Sequence, residues 1–368
     1  MKINNGLKIW IYTIIIIVLG LIALYSASFQ NVRVSQKIFY DQLILAGLGL
    51  VMMYGIQNID YKRYYDVAYL FYGINIILLI LVLTLGKDAL GARRWLAVGG
   101  VNFQPSELTK LLLILFLGRY YANSKPILSF NLRNKIYVLW RDLLFPFILT
   151  LLSMFLIFKQ PDLGTALLML GIFIAVAFTA NVAYQYLIGL FLTGICVMPF
   201  AWHFLKSYQK DRLLVFLNPN IDPLGAGYTI IQSKIAIGSG QILGKGWLSG
   251  TQNQLNFLPE RHTDFIFSVI GEEWGLMGSL LLVLMYFLLI NTALDITKQL
   301  KDKFGILLVV GIVAIFTLQV IINIGMVMGV FPIVGLTLPL VSYGRSSFLM
   351  FIFMIAILLN LSKKRKML

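Results

Sequence analysis

The chain has 368 residues, of which 59% are hydrophobic and 12% charged, with 30 Lys and Arg against 15 Asp and Glu for a formal net charge of +15. A mean hydropathy of +0.86, with apolar stretches about as long as the 20 residues a helix needs to cross a bilayer, excludes a soluble globular fold and describes an all-α, polytopic membrane protein. The basic residues are scattered through loops without interleaved aromatics, which excludes a nucleic-acid stripe, and a single cysteine, Cys196, excludes an intrachain disulfide or a cysteine metal site.

Ten spans are predicted, near residues 9–28, 38–56, 65–86, 106–121, 141–158, 162–181, 183–204, 266–292, 304–330 and 336–361. The first lacks a small-residue cleavage site and reads as a retained helix. No soluble domain of about 100 residues fits between spans, so residues 1–368 read as a single integral membrane domain with a long extracytoplasmic loop at about 205–264. With the N-terminus inside, inner segments carry sixteen Lys and Arg, among them Lys2, Lys62, Arg119, Lys125, Lys301 and Lys364. The short outer loops carry six, namely Arg33, Lys37, Lys87, Arg93, Arg94 and Lys159. This asymmetry places both termini in the cytoplasm. The turn near 179–185 has no charge to anchor it. In the long loop, residues 228–237 are mostly apolar around Gln232, Ser233 and Lys234, and this element is expected to lie along the outer leaflet or dip into it.

Ionisable residues in or beside apolar spans are costly, so each is a functional candidate until a simpler role explains it. Four clusters stand out. The first joins Arg93 and Arg94 to Gln104-Pro105-Ser106-Glu107-Leu108-Thr109-Lys110. Pro105 with Ser106 marks a helix start, and Glu107 and Lys110 share a face at i, i+3. They read either as an ion pair tying a helix end down or as a buried pair facing a cavity. The second, Lys159-Gln160-Pro161-Asp162-Leu163-Gly164-Thr165, offers Asp162 as an N-cap, a role that leaves room for another. The third, residues 257–273, holds three of the chain's four glutamates together with His262 and Asp264. A helix beginning at Asp264 would put Ser268 and Glu272 on its stripe at i+4 and i+8, with Glu273 pointing elsewhere. Glu272 would then lie about 12 Å deeper and pair with a cation such as Lys110 or be protonated. Asp264 reads either as a helix-start residue favoured by the macrodipole or as a catalytic carboxylate. His262 has no second histidine at ligand spacing and reads as a supporting residue. The fourth cluster runs from Phe331-Pro332 through residues 338–347 around Ser342, where prolines, Gly344 and serines make either a plain kink or backbone lining a cavity.

On this topology all four clusters fall at outer loops or outer span ends. A single outward cavity is expected to gather Glu107, Asp162 and Asp264, with Glu272 a further candidate, and the cations Arg93, Arg94, Lys110, Arg261 and Arg345. That mixture suits a substrate with an anionic phosphate part and a hydroxyl to be activated. No phosphate-binding loop is present, so the energy comes with the substrate, as in an activated lipid diphosphate. A transporter for such a lipid shares the ten helices and the carboxylate–lysine set, yet more often places its carboxylates at the midplane with access to both faces. A scaffold would leave the clusters without a purpose.

The runs at 91–96, 104–107, 160–165, 218–247, 257–267 and 339–344 resemble, in order and across essentially all ten spans, the shape, elongation, division and sporulation (SEDS) family. Within it, Leu258-Pro259-Glu260-Arg261-His262-Thr263-Asp264-Phe265 is similar to the elongation branch, because Arg261 stands where the division branch usually has a small residue. The resemblance implies a peptidoglycan glycosyltransferase that polymerises lipid II on the outer face of the cytoplasmic membrane. Its implied partners are a class B penicillin-binding protein transpeptidase and other elongation-machinery membrane proteins. It carries the family's essential aspartate onto Asp264, the general base of an inverting transfer. Glu107, Lys110, Asp162 and Ser342 match further positions of the family's central cavity. Arg93, Arg94, Lys110 and Arg261 are the candidates to stabilise the departing diphosphate, with Lys234 a further substrate contact. A divalent cation, magnesium or manganese, is left open as a cofactor, with no Asp-x-Asp pair to support it. After Ser342-Tyr343-Gly344 the family continues with glycine where this chain has Arg345. That residue either adds a phosphate contact or crowds the cavity.

Overall fold

A computed structural model describes residues 4–29, 34–89, 92–98, 101–124, 132–205, 207–223 and 225–363. Gly91 and Leu224 of the motifs above, and Lys2, Arg33, Lys125 and residues 364–366 of the charge asymmetry, lie outside the described residues. The chain begins with α1 (Asn5–Ser28), α2 (Val34–Ile56) and α3 (Lys62–Leu85). An antiparallel sheet follows, with β1 (Lys87–Ala89), β2 (Ala92–Val98) and β3 (Val101–Phe103) in that order. Then come α4 (Pro105–Asn123) and α5 (Leu132–Leu139), the latter running through a π turn at Trp140–Leu144 into α6 (Phe145–Lys159). The remaining helices are α7 (Leu163–Thr179), α8 (Tyr184–Phe204), α9 (Ser207–Leu217), α10 (Ala226–Gly240), α11 (Thr251–Gln254), α12 (Ile266–Thr297), α13 (Lys303–Val327) and α14 (Arg345–Lys363).

Among the described residues, seven helices are long and apolar enough to cross a membrane, and two more, Leu163–Thr179 and Tyr184–Phe200, are shorter and apolar. The remaining expected span, 106–121, falls on α4, whose polar first turns lower its hydropathy. The polytopic helical architecture is as expected from the sequence, while the small sheet between α3 and α4 is not. The uncharged turn between α7 and α8 lies where expected and passes through Asn181 at φ 65. Residues 228–237 fall within α10. The last span is shorter than expected, because α14 begins only at Arg345. Before it, Pro339 has no N–H to donate, and Gly335 and Leu340 take φ of 71 and 65.

The chain divides into two compact units. Unit 1 comprises Met1–Tyr54, Ala201–Thr292 and Gln319–Ile355, and unit 2 comprises Gly55–Phe200, Ala293–Leu318 and Ala356–Leu368.

In unit 2, α4 packs against α3, α6 and α7, and nearly every residue from Pro105 to Gly118 is buried. Hydroxyl groups of this interior find backbone or side-chain partners, as an apolar medium favours. The Tyr72 hydroxyl donates to the Leu149 carbonyl at 2.6 Å and lies 2.7 Å from Ser153 Oγ, and Thr150 Oγ1 donates to the Pro146 carbonyl at 2.8 Å. The π turn sits just ahead of Pro146, whose missing N–H disturbs the helical ladder at that point.

In unit 1, α12 is interrupted at Gly275 (φ 64, ψ −158). The loop after α10 fills the gap. Lys245 and Gly246 N–H donate to the carbonyls of Glu272 and Glu273, both at 3.0 Å, and Leu276 and Met277 N–H donate to the carbonyls of Gln241 and Ile242 at 2.9 and 3.1 Å. Backbone groups freed by the break are thereby paired, where each left bare in hydrocarbon would cost several kcal/mol. Only glycine suits the break, since a Cβ on Gly275 would lie 2.3 Å from Gly244 N.

Candidate functional site

Asp264 lies in a turn ahead of α12. Thr263 and Phe265 N–H both donate to the Glu260 carbonyl, at 3.1 and 3.3 Å, and Glu260 takes φ 49. Three successive carbonyls of the turn are then held by three different donors. Tyr343 N–H donates to His262 O at 2.9 Å, Ser342 Oγ to Thr263 O at 2.5 Å, and Asn323 Nδ2 to Asp264 O at 2.9 Å. Asn323 Nδ2 also donates to Leu336 O at 2.6 Å, and Ser342 Oγ accepts from Leu338 N–H at 2.8 Å. The turn, α13 and the segment before α14 are thus bound into one piece. The half-buried Asp264 carboxylate faces Gly335, where a Cβ would sit 3.6 Å from Oδ2. A residue without a side chain at that position keeps the approach to the carboxylate clear.

The flanking residues are anchored as well. Arg261 is buried, and its Nε donates to the Ala27 carbonyl in the last turn of α1 at 2.7 Å. His262 is half-buried, and burial pushes its imidazole below the ordinary value of 6.5, with Glu260 opposing and Arg261 adding to the shift. It is therefore neutral at pH 7.

Two expectations for this segment are corrected. The helix begins at Ile266, so Asp264 is not its first residue and shares no helical stripe with Ser268 and Glu272. Glu272 pairs with Lys245, where Lys110 was the expected cation. Its Oε1 meets Lys245 Nζ at 2.8 Å and accepts from Thr251 Oγ1 at 3.2 Å and Gln252 N–H at 3.0 Å, while Oε2 accepts from Asn253 N–H at 3.3 Å. This carboxylate anchors the start of α11. Glu273 points elsewhere, as expected. Its Oε1 accepts from Ser26 Oγ at 2.5 Å and Asn253 Nδ2 at 3.1 Å, and its Oε2 from Leu248 N–H at 3.3 Å. Both glutamates fasten the 241–256 loop to α12 and α1.

Lys234 is exposed on α10, and the end of its side chain lies over Gly329, where a Cβ would be 2.6 Å from Nζ. Its neighbour Ser233 is buried and ties α10 to α13, donating to the Val327 carbonyl at 2.6 Å. Arg345 reaches α2 and pairs with Asp41 at 2.5 Å.

Unit 2 holds the other two clusters. Asp162 caps α7, its Oδ1 accepting from Thr165 N–H at 3.2 Å, and its Oδ2 accepts from Gln104 Nε2 at 3.4 Å. Arg94 Nε donates to the Gln160 carbonyl at 3.0 Å, and its Nη2 to the Pro161 carbonyl. Arg94, Gln104, Ser106 and Asp162 therefore come together at the junction of β2, α4 and α7. Arg93 is exposed on β2. Glu107 and Lys110 form a buried ion pair at 2.7 Å, with no exposure of the lysine side chain, and the next polar residue, Thr109, donates to Asn75 Oδ1 at 3.1 Å.

Sequence reasoning missed Asn323, Lys245, Ser26 and Asn253. For Asn323 a signal existed, because Gln319 and Asn323 stand at i, i+4 in an otherwise apolar helix and both are fully buried. Gln319 Nε2 donates to the Thr337 carbonyl at 2.9 Å, so both amides hold the segment before α14. Among the described residues, no group of three His, Cys, Asp or Glu side chains is placed to hold a metal ion.

Known proteins share this architecture. The family model described as "Cell cycle protein", named for FtsW, RodA and SpoVE, matches residues 7–367. A peptidoglycan glycosyltransferase MrdB of Escherichia coli K12 is 40% identical over 355 residues, covering 96% of this chain and 92% of its own length. A chain from a structure described as the structural coordination of polymerization and crosslinking by a peptidoglycan synthase complex superposes with a TM-score of 0.81 at 33% identity, covering 98% of both chains. The rod shape determining protein RodA of Thermus thermophilus does so with a TM-score of 0.71 at 30% identity, covering 97% of this chain and 96% of its own.

Proposed function

The chain belongs to the cell cycle protein family of FtsW, RodA and SpoVE, and from that premise we propose that it is a peptidoglycan glycosyltransferase of cell elongation that polymerises lipid II in the bacterial cytoplasmic membrane. Its acceptor and donor meet on the outer face, with both termini in the cytoplasm. Its partner is a class B penicillin-binding protein transpeptidase, which cross-links the strand, alongside other membrane proteins of the elongation machinery. The relative in a peptidoglycan synthase complex supports that pairing.

Asp264 is the general base. Its carboxylate takes the proton of the acceptor sugar hydroxyl as that oxygen attacks the anomeric carbon of the donor. The new glycosidic bond forms as the carbon–oxygen bond to the lipid diphosphate breaks, and undecaprenyl diphosphate departs with the electron pair. One base and no covalent intermediate give inversion, by analogy with inverting glycosidases. Substrate contacts are assigned to Arg93, Arg94, Glu107, Lys110, Asp162, Lys234 and Arg261, with the cations among them offsetting the charge on the diphosphate. Ser342 acts instead through the backbone, by positioning Asp264. The observation that carries the reading is the grip on residues 262–264, three carbonyls held by three donors, which fixes a half-buried carboxylate beside the bare backbone of Gly335. Such pre-organisation is what a base needs.

The test is polymerisation of labelled lipid II by the protein purified with its transpeptidase partner in detergent. Wild type makes long glycan strands and Asp264→Asn, folded and partner-bound, makes none. Strands of normal length from the variant would remove Asp264 from its role. A transporter makes no polymer in detergent, where there is no second compartment, so wild-type strands also separate polymerase from flippase.

A further inference from the structure

We propose that the Asp41–Arg345 ion pair is a positioning element for the Asp264 turn, an inference that rests on the reading of Asp264 as base. Each partner is unfavourable where it stands. Arg345 opens α14, where a cation opposes the helix macrodipole. Asp41 lies inside Gln36–Ile56, one of the helices apolar enough to cross a membrane, where an ionisable group is costly without a role. Together they meet at 2.5 Å between Arg345 Nη2 and Asp41 Oδ2.

The pair leads directly to the turn. Arg345, the first residue of α14, follows Tyr343 by only two residues. Tyr343 N–H holds the His262 carbonyl at 2.9 Å, and the two rings lie 6.2 Å apart. Ser342, the residue before, holds the Thr263 carbonyl. The ion pair on α2 therefore holds the end of the short stretch 342–345, whose other end holds the backbone one and two residues ahead of Asp264. The side chains of Arg345 and Asp41 are 39% and 27% exposed, and a pair so open to solvent adds little stability. Its contribution is geometric. It ties the 342–345 turn to α2, so that the donors at 342 and 343 keep their register on the carbonyls. Arg345 in place of the glycine expected from the motif thus neither crowds the turn nor serves first as a phosphate contact.

The experiment compares Asp41→Asn, Arg345→Gly, the double variant Asp41→Asn/Arg345→Gly and the swap Asp41→Arg/Arg345→Asp, each as the full chain with its transpeptidase partner in detergent. Two quantities are read, amide hydrogen exchange in residues 258–267 and the kcat and KM of lipid II polymerisation. Each single variant should speed exchange in that segment and lower kcat about tenfold at unchanged KM, within the hundredfold that a 1 Å misplacement can cost. The double variant should be no worse than either single, and the swap should recover part of both quantities. Unchanged exchange in both single variants overturns the proposal. So does a raised KM at constant kcat in Arg345→Gly with Asp41→Asn silent, the signature of a direct phosphate contact. The exchange readout does not depend on polymerisation, so a wild type that makes no strands would count against the glycosyltransferase reading while exchange still decides the role of the pair.

Discussion

The Ser342 hydroxyl donates to the Thr263 carbonyl at 2.5 Å while accepting from Leu338 N–H at 2.8 Å. One small side chain therefore closes its own turn and fixes the backbone next to Asp264. Removing it leaves a carbonyl and an N–H without partners, a loss of about 1 kcal/mol for each bond, while the fold around it keeps its many other contacts. Ser342→Ala should remain folded and lose about tenfold in kcat with KM unchanged, since the cost falls on alignment rather than on binding. Asn323→Leu, which removes the donor to both Asp264 O and Leu336 O, should lose more. A change confined to KM would place Ser342 back among the substrate contacts.

Glu272 accepts from two backbone N–H groups, a hydroxyl and Lys245. Glu272→Ala strips partners from donors at the start of α11, among them the buried Asn253 N–H, for which a lost partner costs about 1–3 kcal/mol. The expected result is a lower temperature of unfolding in detergent and faster proteolysis within residues 241–256. Lys245→Ala should do less harm, because that side chain is already 28% exposed. Equal damage from both would mean that the ion pair, and not the backbone anchoring, holds the loop.

Lys110 and Glu107 test binding against structure. With both buried, Lys110→Ala strands a carboxylate in an apolar interior, and breaking such a pair costs about 3–5 kcal/mol. Folded protein should fall sharply. The double variant Glu107→Gln/Lys110→Met removes both charges and should recover the fold. It is expected to stay inactive on lipid II, as a substrate contact requires. Recovered polymerisation in the double variant would make the pair purely structural.

The His262 imidazole is held below its ordinary pKa by burial. The folded protein then takes up that proton less readily than the unfolded chain, so stability is unaffected above pH 6.5 and is lost as pH falls through 6.5 toward the lower folded value. His262→Gln should flatten the acid side of a thermal stability profile recorded in detergent. Superimposable profiles would show that the ring is not shielded.

The sequence was most legible where physics is local. Apolar length placed the helices, because a bilayer fixes the number of residues needed to cross it, and Pro105 marked the start of α4 through its missing N–H. Asp162 was recognisable as a cap because a short carboxylate ahead of a helix can accept the N–H groups its first turn leaves unpaired. Asp264 stood out within the dense charge of residues 257–273 and through the motif around it, but its turn was not foreseen, since the donors that shape it come from residues 323, 342 and 343. Glu272 shows the limit most clearly. The density of charge in residues 257–273 was visible, yet the partner is Lys245 on a loop that doubles back along α12, and no periodicity reports such a return. The strands of the small sheet were also missed, being only three to seven residues long.

The break in α12 also bears on how the chain is made. Residues 241–246 leave the ribosome before residues 272–277, and α1, which supplies Ser26 to Glu273, is earlier still. When the interrupted turn enters the bilayer, every partner for its loose backbone and its carboxylate has already been synthesised. The order of these segments in the chain spares the helix an interval in lipid with nothing to bond to. Moving the loop to a later position, as a circular permutation would, should stall insertion at Gly275 even though the finished contacts would be the same.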